Sequence, residues 1–138
     1  FVQHHRLVLD HVTIAGNSAQ FASGIGGMSA RLTIRSSVIA NLAANEYTPL
    51  NCNGQPGNGE NNLQWPANNK GNNDLACVAG IQRADPMMGD LEEREGQRVR
   101  VPKAGSPAIG LGQGCPTVDQ LGKPRKSSGC TAGAVEVP

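Results

Sequence analysis

Aromatic residues are scarce. One Trp, one Tyr and two Phe among 138 residues make 3%, which excludes a wide core filled with rings. No apolar run approaches the length of a membrane-spanning helix. An excess of charge of one sign is also missing. Twelve Lys and Arg stand against eleven Asp and Glu, for a formal net charge of +1, so no field is present to hold nucleic acid or an anionic membrane. Heptads are absent, and with them a coiled coil. The short motifs of catalysis and cofactor binding are missing as well: no GxSxG, no Walker loop, no calcium-repeat nonapeptide, no CxxC or HxxxH pair. The sequence therefore assigns no cofactor and no metal, and a zinc site is left as the less favoured rival to disulfides for its four cysteines.

What is present is punctuation. Eighteen glycines and nine prolines mark many turns in a chain of single-domain length, 1–138. Cys52, Cys77, Cys115 and Cys130 form an even set in a loop-rich chain, which favours disulfides and an oxidising compartment. Four cysteines allow three pairings. Cys52–Cys77 with Cys115–Cys130 is favoured, because each bond would staple a segment poor in apolar residues; closing a loop of about 15 residues contributes roughly 3 kcal/mol. The chain opens FVQHHRLVLD, directly before a strand-like run and without an initiator Met, which reads as a processed end or a fragment.

Self-comparison is the most informative step. Leu7, Leu9, Ile14 and Ala15 match Leu32, Ile34, Ile39 and Ala40 at an offset of 25; Asn17 and Ala19 match Asn41 and Ala43 at 24. Leu7 and Leu9 alternate with Val8 and Asp10, and Leu32 and Ile34 with Thr33 and Arg35, a strand period and not a helical one. A repeat of this length in strands predicts an all-β solenoid, a right-handed parallel β-helix, whose narrow interior suits Leu, Ile, Val and Ala better than rings. Asn17 and Asn41 are expected to stack at a turn and hydrogen-bond along a ladder. Asp10 and Arg35 should pair on the outer face.

The segment from Asn51 to Cys77, NCNGQPGNGENNLQWPANNKGNNDLAC, is rich in Asn, Gly and Pro. It reads as a loop excursion tied by Cys52–Cys77. Trp65, the only tryptophan, sits in it, either packing the loop onto the body or stacking on a ligand. The expected division is coils at about 5–50 and 80–114, the loop at 51–77, and a C-terminal cap at 115–138. Glu92 to Arg100 mixes charges as a solvated turn leading into a Val99–Val101 strand.

Four spaced pieces carry a family resemblance: Asp85-Pro86 with Gly89-Asp90-Leu91, then Gly105-Ser106-Pro107-Ala108-Ile109-Gly110, then Asp119-Gln120, Gly122 and Arg125, then Gly129-Cys130-Thr131-Ala132-Gly133-Ala134-Val135-Glu136. Together they resemble the C-terminal region of the choice-of-anchor Q proteins, secreted bacterial parallel β-helix proteins related in shape to the pectin-lyase-like superfamily. The resemblance implies the distal end of a longer β-helix at the cell surface and no agreed catalytic set. It also implies a cap in which Asp119 and Arg125 pair and hold the Cys115–Cys130 loop.

Chemistry beyond this is thin. Lyases of this shape need a base near calcium-binding carboxylates; Arg100, Lys103, Asp85 and Asp90 are the available set, and their spacing does not place them on one face. His4, His5 and His11 cluster near the start and read as surface histidines, with a metal or acid/base role as the less favoured alternative. No catalytic residue is assigned. The expected function is a secreted or cell-surface structural or adhesive segment, with a carbohydrate or cell-surface ligand at Trp65. A further expectation is stacking against another chain or a cleaved N-terminal half through exposed strand edges. The alternative is part of a polysaccharide lyase, hydrolase or carbohydrate-binding protein.

Overall fold

The computed structural model describes residues 6–19, 22–28, 31–41, 51–66 and 75–138. His4 and His5, and the 42–50 end of the first expected block of coils, lie outside them.

The offset of 25 is a physical register. Strand β1 (Leu7–Asp10) pairs in parallel with β4 (Leu32–Arg35), Leu7 beside Leu32 and Leu9 beside Ile34. Strand β2 (Thr13–Ala15) pairs in the same way with β5 (Val38–Ala40), Ile14 beside Ile39. Between β1 and β2 the chain bends at His11, and between β4 and β5 at Ser36. Both residues have positive φ, 51° and 47°, a region costly for a side chain unless the surroundings hold it. The hold is a ladder: His11 N–H donates to Arg35 O and Ser36 N–H to Glu60 O, each at 3.1 Å. Beside it, Ser37 Oγ accepts from Val12 N–H, and Asn62 Oδ1 from Ser37 N–H.

A third unit follows. Strand β3 (Ile25–Met28) pairs with β6 (Cys52–Gly54), Thr33 bridges in parallel to Asn58, the bend falls on Asn61 (φ 60°), and β7 (Leu63–Trp65) joins β5. The 51–77 segment, loop-like in composition, thus supplies two strands. Strand β8 (Gln82–Arg83) completes a four-stranded parallel sheet in the order β2-β5-β7-β8.

The fold class expected from the repeat needs correction. The described strands form four small sheets, three parallel and one antiparallel, and not a single right-handed parallel β-helix. Two local causes stand out. Pro86 has no N–H to offer a ladder, and the pairing stops at Arg83. Glu95 and Gly96 both have positive φ, 48° and 72°, as a two-residue hairpin turn of type I′ requires, so β9 (Glu92–Arg94) and β10 (Gln97–Val99) fold back antiparallel. After Val99 no strand occurs among the described residues, only isolated bridges.

The tail instead covers a sheet face. Successive residues of β5 point to opposite sides. Ile39 joins Leu32, Ile34, Cys52, Cys77 and Val78 in one core cluster, with Leu9 and Ile25 packed against it. Val38 joins Leu63, Ala108 and Ala132 in a second. Both sides of the sheet are therefore buried. Gly133 N–H donates to Ser36 O at 2.7 Å, Ala134 N–H to Thr13 Oγ1 and Gln113 N–H to Ser36 Oγ, which fixes the tail against the bends. Two disulfides, Cys52–Cys77 and Cys115–Cys130, staple these parts.

Asp119 and Arg125, expected to pair, each take another partner. Asp119 Oδ1 accepts from Leu121 and Lys123 N–H, and Oδ2 from Glu136 N–H. Arg125 pairs with Glu136 at 3.2 Å and donates to Thr131 O and Gly133 O. Asp10 lies beside Arg35 in register but bonds His11, which is buried and not on the surface.

Candidate binding site at Trp65

Asparagines build the support of the site. Asn17 N–H and Nδ2 both donate to Asn41 Oδ1 at 3.0 Å. Asn41 N–H and Nδ2 donate onward to Asn51 Oδ1, and Asn51 Nδ2 donates to Trp65 O at 3.0 Å. Asn41 and Asn51 are fully buried, so each bond replaces water the amide has lost. The ladder expected from Asn17 and Asn41 gains Asn51 and ends on the backbone of the tryptophan. Its third member escapes a periodic reading because Asn51 lies 10 residues after Asn41.

Trp65 closes β7, in register with Ala40, which is itself in register with Ala15. Two small side chains in that row leave open space beside the indole, and a cavity of about 170 Å³ forms there. Trp65, half-buried, lines it with Ala40, Met88, Gly16, Asp85 and Arg100. Arg100 donates from Nη1 to Gly89 O at 2.9 Å, and among the described residues it has no carboxylate partner. Gly16 is needed where it stands: a Cβ there would lie 2.8 Å from Arg100 Nη2, and its φ is +73°. The first repeat copy carries this glycine and the second lacks it, because only the first meets the guanidinium.

Asp85 is exposed, and its Oδ1 accepts from Met87 N–H at 2.7 Å. Ser106 Oγ donates to Pro86 O, and Lys103 N–H to Met87 O, so the 85–89 segment is fixed from behind. Of the four residues weighed for lyase chemistry, the structure brings Asp85 and Arg100 to one cavity; Lys103 and Asp90 do not line it. The cavity is lined by an aromatic side chain, a cation and a carboxylate. It does not assemble the two carboxylates that glycoside hydrolysis uses.

A wider groove of about 610 Å³ runs over the tail between Arg94, Leu121, Lys123, Lys126, Val135 and Pro138. Lys123 is occupied there by Glu95 at 2.9 Å.

Comparison with protein-family models, with curated proteins and with solved structures finds no match to this chain. No helix among the described residues is long and apolar enough to cross a membrane. The two disulfides are compatible with an extracellular setting.

Proposed function

We propose that this chain is a secreted or cell-surface recognition segment that binds carbohydrate at the Trp65 cavity. The observation that carries this reading is the meeting of the only tryptophan with Arg100 and Asp85 around one opening. A sugar ring stacks its C–H face on an indole, and its hydroxyls donate to a carboxylate. An Arg with no acid partner suits a sugar that brings its own carboxylate, a uronate. The cavity is smaller than the roughly 300 Å³ lower bound of drug-sized pockets, which fits one sugar unit or chain end held while the rest of the polymer lies in solvent. Two disulfides and the tail's resemblance to choice-of-anchor Q proteins support the extracellular placement. The reading is one of binding, with no catalytic residue assigned.

Calorimetric titration of uronate and neutral oligosaccharides against the chain tests this. Trp65→Ala should weaken uronate binding at least about tenfold while the far-ultraviolet circular dichroism stays unchanged. Unaltered binding by a folded Trp65→Ala variant would remove the cavity from the account. New unsaturated or reducing ends released from the polymer would replace binding with catalysis.

A second reading, self-association, has its own observation. Strand β1 has one neighbour, β4, so its other edge is unpaired among the described residues, and Leu7 and Val8 there are 56% and 52% exposed. A further strand from a second copy could pair along it. Sedimentation at rising concentration should then show dimers that Val8→Lys abolishes; a monomer at every concentration would end this reading.

A further inference from the structure

His11 is a buried side chain that the Trp65 cavity does not use. It is 6% exposed. Its Nδ1 lies 2.7 Å from Asp10 Oδ1 and its Nε2 lies 3.2 Å from Cys130 Sγ. An ionised carboxylate only accepts, so Nδ1 donates its proton to Asp10 and leaves Nε2 as the ring atom that faces the sulfur. The Nε2 atom and the sulfurs of Cys115 and Cys130 all lie within 4.8 Å of one another. A tetrahedral zinc ion with bonds of about 2.0–2.3 Å spaces such neighbouring ligands roughly 3.5–3.8 Å apart, so small side-chain rotations suffice.

We propose that the reduced form of this chain holds one zinc ion between His11 Nε2, Cys115 Sγ and Cys130 Sγ, with water in the fourth position. The metal and the disulfide are then alternative staples for the same two segments. A dithiol reductant supplies two electrons and two protons to the Cys115–Cys130 bond. The S–S bond breaks to two thiols and the reductant closes its own disulfide. Zinc then displaces the two thiol protons to solvent, leaving two thiolates and a neutral imidazole as ligands. Asp10 is not a ligand. It holds the ring proton on Nδ1, the outer-shell role carboxylates play behind metal-bound histidines.

The surroundings leave room for this. Gly112 faces the cluster: a Cβ there would lie 2.9 Å from Cys130 Sγ and 3.2 Å from His11 Nε2. A cavity of about 360 Å³ lined by Asp10, His11, Pro116 and Val118 opens beside the imidazole. The strained bend helps too, since positive φ at residue 11 is held by Arg35 O and aims the imidazole into the tail. Before oxidation, a site of this kind would hold Cys115 near Cys130 and bias the correct pairing.

The test uses the full chain, reduced, freed of reductant without oxygen, and titrated with zinc against a chromophoric chelator. One zinc per chain should bind, and cobalt in its place should give a thiolate-to-metal charge-transfer band. His11→Gln should lower zinc affinity more than about 100-fold. Asp10→Asn should lower it about 10- to 100-fold, a loss that two adventitious thiols would not show. The Cys52→Ala/Cys77→Ala variant, and the wild type if that variant does not fold, should keep the single site. Zinc affinity indifferent to His11→Gln, no binding by the reduced chain, or a stoichiometry that follows Cys52 and Cys77 overturns the proposal.

Discussion

Gly59→Ala should cost roughly 2–6 kcal/mol of stability, summing a forbidden backbone conformation and a steric clash of about 1–3 kcal/mol each. Gly59 has φ +132°, and a Cβ there would collide with Ile34 O. That carbonyl cannot retreat freely, because it accepts from Asn62 Nδ2 at 2.8 Å. Gly57 is similar in kind, its Cβ position 2.7 Å from Leu32 O. The third unit therefore lies against β4 at a distance only a bare backbone allows. Gly80→Ala is the matched control: φ is +69°, but nothing lies within 4 Å of its Cβ position, so it should cost about 1–2 kcal/mol from φ alone. Urea unfolding of the two variants compares them directly. Equal losses would show that residues 57–59 do not pack on β4.

Arg125→Met should cost about 3–5 kcal/mol, the range for removing one partner of a buried ion pair. The Arg125 and Glu136 side chains are only 2% and 5% exposed. Glu136 Oε2 would keep Thr131 N–H, but its charge would lose the guanidinium, and Thr131 O and Gly133 O would each lose a donor. The pair is not an ideal fork: Arg125 Nε and Glu136 Oε1 have no hydrogen-bond partner among the described residues. For that reason Arg125→Met/Glu136→Leu should recover part of the loss, as buried pairs often do when replaced together by apolar groups. Thermal unfolding of the two single variants and the double variant closes the cycle. A single-variant loss below about 1 kcal/mol, the range of exposed pairs, would mean the tail does not pack as described.

The first two units are legible in the sequence because their inward residues are large aliphatics in matched order, Leu9 with Ile34 and Ile14 with Ile39. The third unit hides because glycines replace Leu32 and Ile34 at Gly57 and Gly59, where the close approach leaves no room for a side chain. Its surviving signals are Leu63 and Trp65, in register with Val38 and Ala40, too few to outweigh the Asn and Gly around them.

The tail hides for a different reason. It covers Val38 and Leu63 with Ala108 and Ala132, and alanines in a turn-rich segment carry little hydrophobic signal. The tail folds back over that sheet face, and the described strands form four small sheets in place of the expected solenoid. The family resemblance also misassigns the ion pair. Asp119 spends its carboxylate on backbone N–H groups, and Glu136 reaches Arg125 from the far side of the Cys130 turn. At the candidate site, Trp65 stands out as the lone tryptophan. Asp85 and Arg100 become its neighbours only through the fixed 85–89 segment, the return from β10 and the gap left by Gly16.

Trp65 also makes the central functional claim directly measurable. As the only indole in the chain, it reports on the cavity without a label. Titrating a uronate oligosaccharide should change its fluorescence along a saturable curve, and Arg100→Gln should abolish the change for uronates and spare any response to neutral sugars. A folded wild-type chain whose tryptophan emission stays constant across both classes of sugar would contradict the account.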